Sequence, residues 1–71
     1  MQNGVRGMIG DTALVLSPIE SPHHPGLVRA RGESWMAISV GPDEKIPAGS
    51  SVVVADVERG MLVVYPIEEP H

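Results

Sequence analysis

The chain contains no cysteine and no phenylalanine, and it holds a single tryptophan, a single tyrosine and a single lysine. Without cysteine there is no disulfide to support the fold and no thiolate to do chemistry, a pattern that suits a reducing compartment. With Trp35 and Tyr65 as the whole aromatic complement, the row of stacking rings that single-strand nucleic-acid binders use is missing. Cations are also scarce: five basic side chains against nine acidic ones give a net charge of −4, so phosphate backbones and anionic lipid surfaces are repelled overall. The longest apolar runs, such as Ala13 to Leu16 and Met61 to Tyr65, are far shorter than the roughly 20 residues that span a bilayer. The start shows no charged region followed by a long apolar core, so nothing in it directs export, and the chain reads as soluble.

What is present is a set of short apolar segments punctuated by eight glycines and seven prolines, which mark bends and breaks. Residues 1–6 are polar and read as a flexible N-terminal segment, residues 7–67 as one domain, and residues 68–71 as an acidic tail. A domain this small buries only roughly 60% of its unfolded surface, so its stability margin is thin. Met8 to Leu16 lacks helical periodicity and is expected to form a first strand bent at Gly10. Ser17 to Gly26, with three prolines, is a loop. Leu27 to Arg31 and Ser34 to Val40 form a hairpin around Gly32-Glu33. Asp43 to Lys45 forms at most a single turn in the next loop, where Ile46 is expected to plug the barrel. Ser50 to Glu58 is rich in β-branched valines, and Arg59-Gly60 turns it into a last strand, Met61 to Tyr65.

Five such strands, with a longer connection between the third and fourth, predict an all-β fold. It is a small five-stranded OB-fold-like Greek-key barrel with little or no helix. An SH3-like barrel is the structural alternative. Alternate residues of a strand face opposite sides, so Trp35 and Ala37 oppose Met36, Ile38 and Val40, while Leu62 and Val64 oppose Met61, Val63 and Tyr65. Both faces are partly apolar, which calls for an outer cover or a partner. Val52 and Val54 share a face that Val57 leaves in a regular strand, so a core role for all three requires a bulge near Ala55-Asp56.

The ordered set Gly7-x-x-Gly10, Leu16-x-Pro18, Gly26-x-Val28, Gly32-Glu33-x-Trp35-x-Ala37-x-Ser39 and Ile46-x-x-Gly49-x-x-Val52-x-Val54-x-x-Val57 continues through Gly60, Leu62, Val64 and Pro66. In this the chain resembles the soluble C-terminal domain of NfeD-like proteins, a small OB-fold barrel. Ile19 to Pro25 departs from the pattern as an insertion. The resemblance assigns Gly26, Gly32, Trp35, Ala37, Gly49, Val52, Val54, Val57, Gly60, Leu62 and Val64 to the structural core and signature. It implies a non-catalytic protein–protein interaction module carried after transmembrane helices, with the membrane anchor outside this sequence and the domain in the cytoplasm. The implied partners are stomatin- or flotillin-like scaffolds or a membrane-bound serine protease of the ClpP class, in the assembly or regulation of membrane protein complexes.

Candidate sites are few. Arg29, Arg31, Met36, Ile38 and Tyr65 are the possible partner surface. Arg29 and Arg31, on one face of the second strand, also raise the alternative of an OB-fold single-stranded nucleic-acid binder, although two arginines on an acidic barrel more often pair with carboxylates. No nucleic acid is expected to bind. Adjacent His23 and His24 point apart in an extended chain and lie between prolines, so no metal is expected. Lys45 lacks the flanking methionines of a biotinyl or lipoyl carrier, the serines lack a nucleophile elbow, and there is no phosphate-binding glycine loop, so neither a cofactor nor an enzymatic activity is expected. Trp35 is read as core. Its truncation to alanine is expected to cost about 3 to 5 kcal/mol, enough to abolish a cooperative thermal melt in so small a domain; a normal melt with loss of a partner would assign it to binding instead.

Overall fold

The computed structural model describes residues 6–20, 23–41 and 44–67. The five strands are β1 (Thr12–Ser17), β2 (Gly26–Ala30), β3 (Glu33–Ser39), β4 (Ser51–Glu58) and β5 (Met61–Pro66). They close into a barrel in the order β1-β2-β3-β5-β4, with β1 also pairing with β4. Every pairing is antiparallel except that of β3 with β5, where Ala37, Ile38 and Ser39 run beside Leu62, Val63 and Val64. This is the all-β, five-stranded barrel that the sequence predicts. Among the described residues the helical content is one 3-10 turn, Arg6–Met8. The flexible segment and acidic tail expected at the two ends lie, apart from Arg6, outside the described residues, as do Ser21, Pro22, Pro42 and the start of the turn expected at Asp43.

Most strand ends fall one residue from the sequence reading: β1 ends at Ser17, β2 and β3 both lie one residue earlier, β4 begins at Ser51 and β5 ends at Pro66. Two differences have larger consequences. The first strand begins at Thr12 rather than Met8, because Arg6–Met8 coils into the 3-10 turn and Gly10, at φ +97°, redirects the backbone before pairing starts. Gly10 donates to the Val54 carbonyl at 2.8 Å and Val54 donates to the Asp11 carbonyl at 2.9 Å, so this entry segment is bonded onto β4. In the central hairpin the turn is Arg31-Gly32, one residue earlier than Gly32-Glu33. Ala30 pairs with Glu33, and both intervening residues have positive φ, 54° and 78°. Two-residue loops of this kind match the twist of the flanking strands. Arg59-Gly60, at 53° and 79°, repeats the same geometry between β4 and β5.

Inward side chains follow the strand alternation. Val15, Val28, Ala30, Ala37, Val52, Val54, Leu62 and Val64 are buried and form the barrel interior. The ends are closed by residues outside the strands. Met8 is buried near the end where Arg31 turns, while Ile19 and Ile46 fill the end where β2 begins, each donating to the other's carbonyl at 2.9 Å. Along β4 the register slips between Val54, paired with Val64, and Asp56, paired with Val63. This bulge, centred on Ala55, returns Val57 to the inner side opposite Leu62, where it packs partly buried against the core. Trp35 is only partly buried: it leans on the core, and its indole N–H donates to the Ala30 carbonyl at 3.2 Å. The heavy burial expected of a lone tryptophan is not found, because β5 pairs with β3 only from Ala37 to Ser39 and does not flank Trp35, and its truncation should cost nearer the lower bound of the range for a buried ring.

Gly26 is where backbone proximity is most demanding. A Cβ there would collide with the Ser17 carbonyl oxygen and would stand 2.6 Å from that of Pro18 and 2.7 Å from Ile19 Cγ1. Gly26→Ala should therefore lower stability by about 2 to 3 kcal/mol, as overpacking against unyielding backbone does, seen as a lower urea midpoint; an unchanged midpoint would show that the β1–β2 connection gives way freely. Arg59→Asn should raise the midpoint, by about 0.5 kcal/mol, since asparagine tolerates positive φ better than arginine. The matching Arg31→Asn should not, because Arg31 also pairs with Asp11.

Candidate functional site

In β3 and β5 the alternation that buries Ala37, Leu62 and Val64 turns Met36, Ile38, Val63 and Tyr65 outward. The strand order then sets these residues side by side. Leu27 of β2 pairs with Met36 of β3, Ile38 with Val63 of β5, and Tyr65 with Val53 of β4. Val40 extends the row, donating to the Val64 carbonyl at 2.9 Å. Met36 is 50% exposed, Val40 53% and Tyr65 43%, while Ile38, Val53 and Val63 are half-buried between neighbours. The result is an apolar band across the outside of β2, β3, β5 and β4. Exposed Asp56 and Glu58 border it along β4, opposite Val63 and Met61. Arg29, opposite Ser34, borders it on β2.

The band ends in an open groove of about 490 Å³ lined by Glu44, Val53, Tyr65, Pro66 and Ile67. Glu44 reaches it from the loop after β3. Its backbone N–H donates to the Gly41 carbonyl at 3.2 Å, and its Oε1 accepts from the Ser39 hydroxyl at 3.4 Å. That hydroxyl in turn accepts from the Gly41 N–H at 3.2 Å.

Of the residues singled out as a partner surface, Met36, Ile38 and Tyr65 come together on the outer band, and Arg29 lies at its edge. Arg31 does not share a strand face with Arg29. It stands in the hairpin turn and curls back, its Nε donating to Asp11 Oδ2 at 2.6 Å and its Nη2 to the Gly7 carbonyl at 3.1 Å. The positive-φ turn redirects its side chain off the β2 surface toward the entry segment. Among the signature residues, Ala37, Val52, Val54, Leu62 and Val64 are buried, Gly26 is buried in the close approach described above, Val57 and Trp35 are partly buried, and Gly32, Gly49 and Gly60 occupy exposed positive-φ positions. His23 and His24 are exposed. Among the described residues no three histidine or carboxylate side chains converge on a point that could hold a metal ion, and no helix is long and apolar enough to cross a membrane. Glu44, Val53 and Ile67 were not singled out from the sequence. Val53 had a signal, its place between inward Val52 and Val54, but Glu44 and Ile67 meet only across the folded barrel.

Residues 5–66 match the family model of the NfeD-like C-terminal, partner-binding domain. Among solved structures, the chain is similar to the C-terminal domain of stomatin operon partner protein 1510-C from Pyrococcus horikoshii, with 30% identity and a TM-score of 0.76 over 89% of this chain and 92% of that one. It is also similar to the soluble domain of a membrane protein implicated in regulation of membrane protease activity from Corynebacterium glutamicum, with 26% identity and a TM-score of 0.73 over 90% of this chain and 95% of that one. No curated protein matches the chain. The barrel topology, the family match over nearly the whole domain and the two structural likenesses agree, and the chain belongs to the NfeD-like C-terminal, partner-binding domain family.

Proposed function

We propose that this domain is a non-catalytic docking barrel of a membrane-anchored protein, holding a stomatin-type scaffold or a membrane protease in a complex on the cytoplasmic side of the membrane. The observation that carries the reading is the outer apolar band of Leu27, Met36, Ile38, Val40, Val63 and Tyr65. A barrel whose interior is already filled by its own valines gains nothing from exposing a second apolar surface, whereas a partner covering it does. Support for the partner's class comes from the similar proteins, one a stomatin operon partner and the other implicated in regulation of membrane protease activity. The absence of cysteine supports a reducing compartment. The side-chain pairs Arg31 with Asp11 and Ser39 with Glu44 brace turns and entry segments. For nucleic acid, the outward side chains of β2 and β3 offer Arg29 as their one cation, and Trp35 is turned inward.

The test is co-purification from membranes of the full-length, anchored protein. A stomatin-like scaffold or a membrane protease should be recovered with it. Met36→Asp and Leu27→Asp, each at an exposed position, should leave the melting temperature nearly unchanged yet weaken recovery by about 30-fold, the effect of losing ~2 kcal/mol at an interface hot spot. Full recovery with both variants would remove the outer band from the interface, and recovery of nucleic acid in place of a protein would overturn the reading.

A further inference from the structure

The groove at the end of the band differs in chemistry from the rest of it. Beside the apolar Val53, Pro66 and Ile67 and the aromatic Tyr65 it is lined by Glu44, whose carboxylate accepts from the Ser39 hydroxyl at 3.4 Å. Among the described residues the ion pair is Arg31 with Asp11, so Glu44 meets no cation there. We propose that this groove receives an arginine side chain presented by an apolar segment of the partner protein, an assignment that rests on the docking reading above and specifies its chemistry.

Four physical arguments select this occupant. A wholly apolar segment laid over the groove would strip water from the Glu44 carboxylate and give nothing in return, which is unfavourable for a charged group. A second copy of this chain would bring the same net charge of −4 to the contact, with Asp56 and Glu58 bordering the same band, and like charges would oppose closure. An anionic lipid surface is disfavoured for the same reason. Arginine fits better than lysine, because a planar guanidinium stacks on a tyrosine ring and offers paired N–H donors to a carboxylate while its methylene stem lies along aliphatic walls.

The probe is a short acetylated and amidated peptide, Gly-Ser-Leu-Arg-Val-Ser-Gly, compared with the same peptide carrying citrulline in place of arginine, and followed by amide NMR of the full chain at low salt. Citrulline keeps the shape and removes the charge. The arginine peptide should move the amide signals of Glu44, Val53, Tyr65 and Ile67 saturably, and the citrulline peptide should bind about tenfold more weakly, equivalent to ~1.4 kcal/mol. Glu44→Gln, at an exposed position, should abolish that difference between the peptides while leaving the melt unchanged. Equal binding of the two peptides, or no shift with either, overturns the proposal. Shifts confined to Leu27 and Met36 overturn it while leaving the docking band in place. Groove signals that move with chain concentration alone would assign the site to a second copy, and movement on adding phosphatidylglycerol vesicles would assign it to lipid; either result overturns it. The scaffold-recovery experiment uses Leu27 and Met36, outside the groove, so the docking reading can fail or stand independently of this one.

Discussion

The parallel pairing of β3 with β5 is the contact on which the rest of this barrel depends. Three residue pairs, Ala37 with Leu62, Ile38 with Val63 and Ser39 with Val64, join the β1-β2-β3 meander to the β4–β5 hairpin. Because successive side chains alternate, one register decides both surfaces at once. Ala37, Leu62 and Val64 enter the core, and Ile38 and Val63 come to lie beside each other outside it. A slip of one residue would exchange the two sets. The docking band is in this sense the outer face of the same register that closes the core.

A barrel of five short strands leaves two open ends, and each is sealed by a different device. Met8, carried in on the 3-10 turn, seals one, and the entry segment behind it is tied to β4 through Gly10, Asp11 and Val54 and to the hairpin through Arg31. The Ile19–Ile46 pair seals the other, drawing both proline-containing loops onto the barrel. The tight contact of Gly26 with Ser17, Pro18 and Ile19 belongs to the same closure, since a side chain there would hold the plug away from the strand. The bulge at Ala55 is a smaller adjustment of the same kind, returning Val57 toward the core after Val52 and Val54 have used the regular alternation.

Much of the fold was legible in the residues because its signals are local. Valine runs mark β4, glycine after arginine marks the β4–β5 turn, and the parity conflict among Val52, Val54 and Val57 pointed to the bulge before any register was known. The start of β1 and the hairpin turn were misplaced because they depend on which backbone groups find partners. Met8 to Gly10 has strand-like composition, yet its neighbours in space make it a plug. The pairing of Ala30 with Glu33 moves the turn back to Arg31-Gly32. That single shift also takes Arg31 out of the candidate surface and sets it against Asp11.

The sequence by itself determined the class of fold, the family, the absence of thiol chemistry and the existence of two apolar faces on β3 and β5, since composition, punctuation and side-chain alternation are properties of the chain alone. Tertiary structure decided which face is inside, because only barrel closure gives the alternation a sign. It also decided where a partner surface could be continuous. Leu27, Met36, Ile38, Val63, Tyr65 and Val53 come from four strands, and Glu44 reaches the groove from a loop, so they become one surface only when the strand order β2-β3-β5-β4 sets them edge to edge.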